Sequence, residues 1–121
     1  MTASILVVED DRAMAEMLVE QLEAEGRSAV SATRVSEAIA LLAVQDFAVV
    51  LSDIQLPAGR DGFDLLRSLR QAEKQTPVIL MTAFATPETA RQAAEAGAFE
   101  FLEKPFTMER LLVAVNRAVG K

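Results

Sequence analysis

The sequence predicts a single α/β domain in which a parallel five-stranded sheet is covered by helices on both faces. Short apolar runs alternate with helical patterns along the 121 residues, and this alternation is typical of repeated βαβ units. Four of the apolar runs also end at acidic, hydroxyl or lysine residues. The carboxyl ends of parallel strands share one edge of the sheet, and ligands bind there. We therefore predict that residues 1–121 form one domain with a functional site at that edge.

The predicted strands are apolar runs of strand length. They lie near residues 4–9, 28–32, 48–52, 77–81 and 99–102. The first run leads into Glu9-Asp10-Asp11 and the third into Asp53, while the fourth ends at Thr82 and the fifth leads to Lys104. The second run ends at Ser31-Ala32-Thr33 and carries no acidic or basic residue there.

The predicted helices lie near residues 12–25, 35–45, 62–72, 87–96 and 107–119. Gly26 and Gly97 follow helical stretches at positions that favour a positive φ angle. We expect Asp10 or Asp11 to cap the first helix, Thr86 to cap the fourth ahead of Pro87, and Thr107 to cap the fifth. The predicted core faces of the first and last helices consist of Met14, Met17, Leu18 and Leu22, and of Leu111, Leu112 and Val115.

The absence of charge at the end of the second strand indicates the strand order. In the flavodoxin-like order 2-1-3-4-5, the second strand lies at the outer edge, so the four strands with polar ends are contiguous. Neighbouring strands lie about 4.8 Å apart. We expect Asp10 and Asp53 to share one cation, with Thr82 and Lys104 on either side. The predicted fold is thus a flavodoxin-like (βα)5 three-layer sandwich.

The composition excludes several classes of function. The chain has no cysteine, so it has no disulfides, thiol nucleophiles or zinc–thiolate sites. It has no histidine either, so any mechanism that needs an imidazole base, ligand or phosphohistidine must take it from another molecule. The formal net charge of −6 argues against direct binding to nucleic acid. No apolar run is long enough to span a membrane, and no signal peptide is recognisable, so we predict a cytoplasmic protein without membrane contact.

Four short motifs follow one another in a fixed order. They are Leu6-Val7-Val8-Glu9-Asp10-Asp11, Ser52-Asp53-Ile54-Gln55-Leu56-Pro57, Met81-Thr82-Ala83 and Lys104-Pro105-Phe106. Together they make the whole chain resemble the receiver domain of bacterial two-component response regulators, in the CheY-like superfamily. Each motif alone is weak, and it is their joint order and spacing over residues 5 to 106 that makes the match specific.

The resemblance implies a role for each acidic position. Asp53 would be the phosphoacceptor. Glu9 and Asp10 would hold Mg²⁺, or Mn²⁺ in its place, with Asp10 the more direct ligand. Asp53 itself and the backbone carbonyl of Gln55 would complete the protein ligands. The chemistry is consistent with these roles. Crowded carboxylates need a cation, or one of them must hold a proton. Mg²⁺ accepts a few carboxylates, and an aspartate can form an acyl phosphate.

The resemblance also assigns the residues that contact the phosphoryl group and pass on the signal. Thr82 and Lys104 would contact the phosphoryl oxygens, and the peptide bond between Lys104 and Pro105 is usually cis in the family. Phosphorylation would draw Thr82 inward, and Phe101 would fill the space that it leaves. The output surface would be the face made by the fourth helix, fifth strand and fifth helix. The fourth helix has little apolar area to anchor it, since its small-residue face consists of Ala90, Ala93, Ala94 and Ala96.

The implied partners are a sensor histidine kinase or a histidine phosphotransfer protein as donor, and an effector domain or protein as target. A phosphorylation-dependent homodimer is a further implication. The chain would be a phosphoacceptor that assists its own phosphorylation and dephosphorylation, not an enzyme with an external substrate. The sequence leaves open whether it acts alone or is the N-terminal domain of a longer regulator.

One loop of this sequence departs from the usual family pattern. The loop between Pro57 and the acidic-glycine turn at Asp61-Gly62 is one residue longer than is common, which leaves its path open. Gln55 and Phe84 lie two residues after Asp53 and Thr82, at positions that in the family influence how fast the phosphoryl group is lost.

Other functions fit the residues less well. A phosphatase of the haloacid dehalogenase type usually has a second aspartate two residues after its nucleophile, where this chain has Gln55, and a cap domain that this chain lacks. A receiver-like scaffold that only binds partners would be expected to have lost part of the site, which is intact here. A nucleotide-binding domain would need a glycine-rich phosphate loop after the first strand.

Overall fold

The computed structural model describes residues 4–120, in which five strands and five helices alternate strictly. In chain order the elements are β1 (Ser4–Val8), α1 (Arg12–Ala24), β2 (Ala29–Ala32), α2 (Val35–Val44), β3 (Phe47–Asp53), α3 (Gly62–Gln71), β4 (Val78–Thr82), α4 (Pro87–Ala96), β5 (Glu100–Glu103) and α5 (Met108–Val119).

The strands form one parallel sheet in the order β2-β1-β3-β4-β5. The predicted flavodoxin-like fold is therefore confirmed. Almost all residues of β1, β3 and β4 are buried, because helices cover both faces of the parallel sheet. This burial on both faces is why these strands appear in the sequence as continuous apolar runs.

Two apolar cores lie on opposite faces of the sheet. One packs α2, α3 and part of α4 against strand residues that include Leu6, Val50 and Leu80. The other packs α1 and α5 against residues of the opposite strand face, among them Val7 and Leu51. Adjacent strand residues thus point to different cores, as the two-residue period of a strand requires.

The predicted helix caps are confirmed. The side chain of Asp11 accepts a hydrogen bond from the Met14 amide, and the hydroxyls of Thr86 and Thr107 do the same at the starts of α4 and α5. Gly26 and Gly97 have φ angles of +83° and +90°, in the left-handed region where glycine is favoured.

Two predictions about the elements need correction. Met17 does not belong to the core face of α1, since 41% of its surface is exposed, whereas Leu18 and Leu22 are buried. The last three strands also extend one residue further toward the carboxyl edge than predicted. Strand pairing continues to Asp53 opposite Met81 and to Thr82 opposite Glu103. Backbone hydrogen bonds thus extend the strands over polar residues, which a search for apolar runs leaves out.

The longer loop after β3 is accommodated by two consecutive left-handed residues. Ala58 and Gly59 have φ angles of +70° and +80°, which turn the chain back toward the sheet before α3. The loop ends where the Gly62 amide donates to the Ile54 carbonyl at 2.9 Å. A Cβ atom at Gly62 would lie 2.6 Å from the carbonyl oxygen of Asp53, so glycine allows α3 to begin directly against the end of β3.

Candidate functional site

The carboxyl edge of the sheet gathers polar side chains from four strand ends. Glu9 follows β1, Asp53 ends β3, Thr82 ends β4 and Lys104 follows β5. The Lys104 amide donates to the Thr82 carbonyl at 2.8 Å, which holds the chain after β5 against the end of β4. The strand pairing therefore brings residues up to 95 positions apart in the sequence into one site.

Three carboxylates form the acidic part of the site. Oxygen atoms of Glu9, Asp10 and Asp53 lie within 4.8 Å of one another. Glu9 and Asp53 are buried, with 1% and 6% of their surface exposed, whereas Asp10 is exposed at the rim. Burial and mutual repulsion both disfavour charge on such groups, so the cluster is stabilised by a nearby cation or by a proton on one carboxylate.

Lys104 provides a positive charge from within the chain. Its Nζ donates to Glu9 Oε1 at 2.6 Å and to Asp53 Oδ2 at 2.9 Å. Burial alone would lower the pKa of Lys104, but its hydrogen bonds to Glu9 and Asp53 outweigh that effect and raise the pKa above its ordinary value. The ammonium group is therefore charged throughout the physiological pH range.

Glu9 shows the cost of burial more directly. Its burial raises the pKa of the carboxyl, and hydrogen bonds from Lys104 and from the Asp11 amide offset only part of that rise. The nearby negative charge of Asp53 raises the pKa further. A second positive charge beside Glu9 would favour its ionised form.

Asp53 has one oxygen that the chain leaves unpaired. Oδ2 accepts the hydrogen bond from Lys104, while Oδ1 is buried and has no hydrogen-bond partner among the described residues. A buried carboxylate oxygen without a partner is costly, and most such atoms in proteins have one. The orphaned oxygen and the all-oxygen donor set fit a hard divalent cation such as Mg²⁺.

Thr82 is buried at the end of β4, and its hydroxyl both donates and accepts a hydrogen bond. Thr82 Oγ1 donates to Gln55 Oε1 at 2.7 Å and accepts from the Phe84 amide at 3.0 Å. The structure thus places Thr82 at the same edge as Asp53 but pairs its hydroxyl with Gln55. Sequence reasoning assigned the backbone carbonyl of Gln55 as a metal ligand and placed the residue at a position that influences phosphoryl loss, but it did not foresee this side-chain contact.

The last predicted positions lie on β5 and just after it. Phe101 is half-buried and packs against the core that contains α3 and α4. The peptide bond between Lys104 and Pro105 is cis, as the family resemblance implied.

Gly62 was not singled out from the sequence as a site residue. Its position behind the Asp53 carbonyl follows from the acidic-glycine turn, a signal that the sequence contains.

None of the helices between residues 4 and 120 combines the length and the apolar character of a membrane-spanning segment. The chain spans about a quarter of the length of the two curated relatives named here, both of which are response regulator proteins. The response regulator protein FleR of Pseudomonas aeruginosa is 39% identical over 100% of this chain and 26% of its own length. The response regulator protein PilR of the same organism is 40% identical over 94% of this chain and 25% of its own length.

Solved structures agree with the sequence relatives. The non-phosphorylated HemR receiver domain from Leptospira biflexa superposes with a TM-score of 0.90 at 34% identity, covering 99% of this chain and 96% of that one. Residues 5–116 match the family described as the response regulator receiver domain. With fold, site geometry and sequence relatives in agreement, the chain belongs to the response regulator receiver domain family of two-component signalling.

Proposed function

We propose that Asp53 accepts a phosphoryl group from a phosphohistidine of a sensor histidine kinase or histidine phosphotransfer protein, in a reaction that requires Mg²⁺. The observation that carries this proposal is the state of the Asp53 carboxylate. It is buried beside two other carboxylates, one oxygen is held by Lys104, and the other has no partner. Such an oxygen is available to a cation or to an electrophilic phosphorus.

The proposed step is an in-line displacement at phosphorus. A carboxylate oxygen of Asp53 forms a bond to phosphorus, the P–N bond to the donor imidazole breaks, and its electron pair stays on that nitrogen. The product is an acyl phosphate. This chain has no histidine, so donor and acceptor belong to different molecules or different domains.

Glu9, Asp10, Asp53 and the backbone carbonyl of Gln55 would hold Mg²⁺, with Mn²⁺ as an alternative. When bound, the cation would neutralise charge on the carboxylates and on the phosphoryl oxygens. Lys104 would then turn from its two carboxylate partners toward a phosphoryl oxygen. Its raised pKa keeps it protonated for this contact.

Thr82 and Phe101 would carry the signal to the output surface. The Thr82 hydroxyl would donate to a phosphoryl oxygen, and the half-buried Phe101 would move into the space vacated beside β4. The output surface would be the face made by α4, β5 and α5, which would contact an effector or a second phosphorylated copy. Support comes from α4, in which Ala93 is the one buried residue.

The proposal applies to the whole of residues 1–121 as one receiver domain. Response regulators receive phosphate from histidine kinases and act on effector domains. They are typically cytoplasmic, and we propose the same location for this chain. The chain would assist its own phosphorylation and dephosphorylation and would turn over no external substrate.

The test is intact mass spectrometry after incubation with acetyl phosphate. With Mg²⁺ present, we expect one added phosphoryl group on the wild-type chain and none on Asp53→Asn. Chelation of divalent ions should also abolish the adduct. An intact, folded wild-type chain with no adduct would contradict the proposal, whereas multiple turnover of a phosphomonoester would instead indicate a phosphatase.

A further inference from the structure

The hydrogen bond between Thr82 and Gln55 links the two loops that follow β3 and β4. Thr82 Oγ1 donates to Gln55 Oε1 at 2.7 Å, and the Phe84 amide donates to the same Oγ1 at 3.0 Å. Thr82 is fully buried, whereas Gln55 is largely exposed. A residue on the surface therefore accepts the proton of a buried hydroxyl.

A hydroxyl group has a single proton to donate. While Thr82 donates this proton to Gln55, it cannot donate to another acceptor near Asp53. The Phe84 amide already occupies one lone pair of Oγ1. Donation by Thr82 to Gln55 and donation by Thr82 to a phosphoryl oxygen are consequently mutually exclusive.

We propose that the Gln55 side chain is a positioning residue that holds Thr82 in the resting state and opposes the phosphorylated one. This inference rests on the function proposed above, because it takes the competing acceptor to be a phosphoryl oxygen on Asp53. It assigns to the side chain of Gln55 a role separate from that of its backbone carbonyl.

The size of the effect follows from the exchange of one hydrogen bond for another. Loss of the bond to Gln55 is part of the cost of moving Thr82, so a variant without that acceptor avoids this cost. A neutral, partly exposed hydrogen bond of this kind alters an equilibrium by about threefold to tenfold. Removal of the acceptor should therefore tighten binding of a phosphoryl mimic by that factor.

The experiment measures the affinity of the chain for beryllofluoride in the presence of Mg²⁺. Gln55→Met keeps the length of the side chain and removes the acceptor. Because the sequence contains no tryptophan or tyrosine, the titration would use isothermal calorimetry or ¹H–¹⁵N NMR. We expect Gln55→Met to bind beryllofluoride about threefold to tenfold more tightly than the wild type.

The chemical shift of the Phe84 amide provides a second measurement, which can be made on the variant without beryllofluoride. It donates to Thr82 Oγ1, so its chemical shift reports the position of that hydroxyl. Without beryllofluoride, Gln55→Met should move this resonance part of the way toward its position in the liganded wild type. A role of Gln55 in stability alone would not produce this directed shift.

Thr82→Val supplies the matched control. It removes the hydroxyl, so adding Gln55→Met to Thr82→Val should leave the affinity for beryllofluoride unchanged. Equal tightening in both backgrounds would overturn the inference, as would unchanged or weaker binding by Gln55→Met alone. Failure of the wild type to bind beryllofluoride would instead contradict the proposed function, so the two failures are distinguishable.

Discussion

Helices α3 and α4 have the same length but are attached to the domain very differently. Each has ten residues, and both pack on the same face of the sheet. Four residues of α3 are buried, including Leu65, Leu66 and Leu69, and its first turn carries a reciprocal capping box. In α4 the single buried residue is Ala93.

The contrast extends to the polar contacts of the two helices. Within α4, Arg91 pairs with Glu88 and, at 2.8 Å, with Glu95, on the exposed surface of the helix. These ion pairs connect turns of α4 to each other and not to the domain. A helix built in this way can keep its own structure while its position on the sheet changes, whereas α3 is fixed behind Asp53.

The largest expected effect concerns the burial of α3. Leu66 is fully buried, so Leu66→Ala should lower the free energy of unfolding by about 3 kcal/mol through lost burial and a residual cavity. Gln92 in α4 is exposed, and Gln92→Ala should change the free energy of unfolding by less than about 0.5 kcal/mol. Urea denaturation followed by circular dichroism would measure both. A loss for Leu66→Ala as small as that for Gln92→Ala would contradict the strong anchoring of α3.

A smaller effect is expected in native-state hydrogen exchange of the unmodified chain. Amides in the middle of α3 should be protected at least about tenfold more than those in the middle of α4, because weakly packed segments open more readily. The comparison requires correction for intrinsic exchange rates and can be made by NMR. Equal protection would indicate that α4 opens together with the rest of the domain.

The smallest effect concerns pH and the capping box of α3. The hydrogen bond from the Asp61 amide, and next that from Arg67, lower the pKa of Asp64 from its ordinary value of 3.8. The folded state thus binds this proton less tightly than the unfolded state does. The contribution to stability is present above the unfolded pKa and is lost as the pH falls through the lower folded pKa.

Asp64→Asn should therefore make the acid-induced loss of stability less steep, as measured by urea denaturation at a series of pH values. The cap of α4 is the Thr86 hydroxyl, which does not titrate in this range. Thr86→Ala should lower the free energy of unfolding by an amount on the order of 1 kcal/mol, and this loss should not differ between neutral and acidic pH. If stability fell with pH as steeply in Asp64→Asn as in the wild type, the lowered pKa of Asp64 would not contribute to acid sensitivity.

Much of the fold could be predicted from the sequence because its signals are local and repeated. The central strands are continuous apolar runs, and the caps at Asp11, Thr86 and Thr107 follow from residue type and position. Strand order followed from asking which strand lacked a polar end. The exposure of Met17 was not predictable in the same way, because it depends on the angle at which α1 lies on the sheet.

The site was predictable as a set of residues but not as a set of contacts. Parallel topology brings Glu9, Asp53 and Lys104 to one edge, whatever their rotamers. The bond between Thr82 and Gln55 depends on the rotamers of two side chains and on the path of the loop after β3. That path includes the left-handed conformation of Ala58, which no residue preference would have indicated.

The double contact of Lys104 has a consequence for ion discrimination under the proposed function. Three carboxylates and one ammonium give the site a formal charge of −2. A divalent cation would bring this charge to zero, whereas sodium or potassium would leave a negative remainder. The lysine therefore sets the formal charge that a bound ion must balance, and a single divalent ion balances it fully.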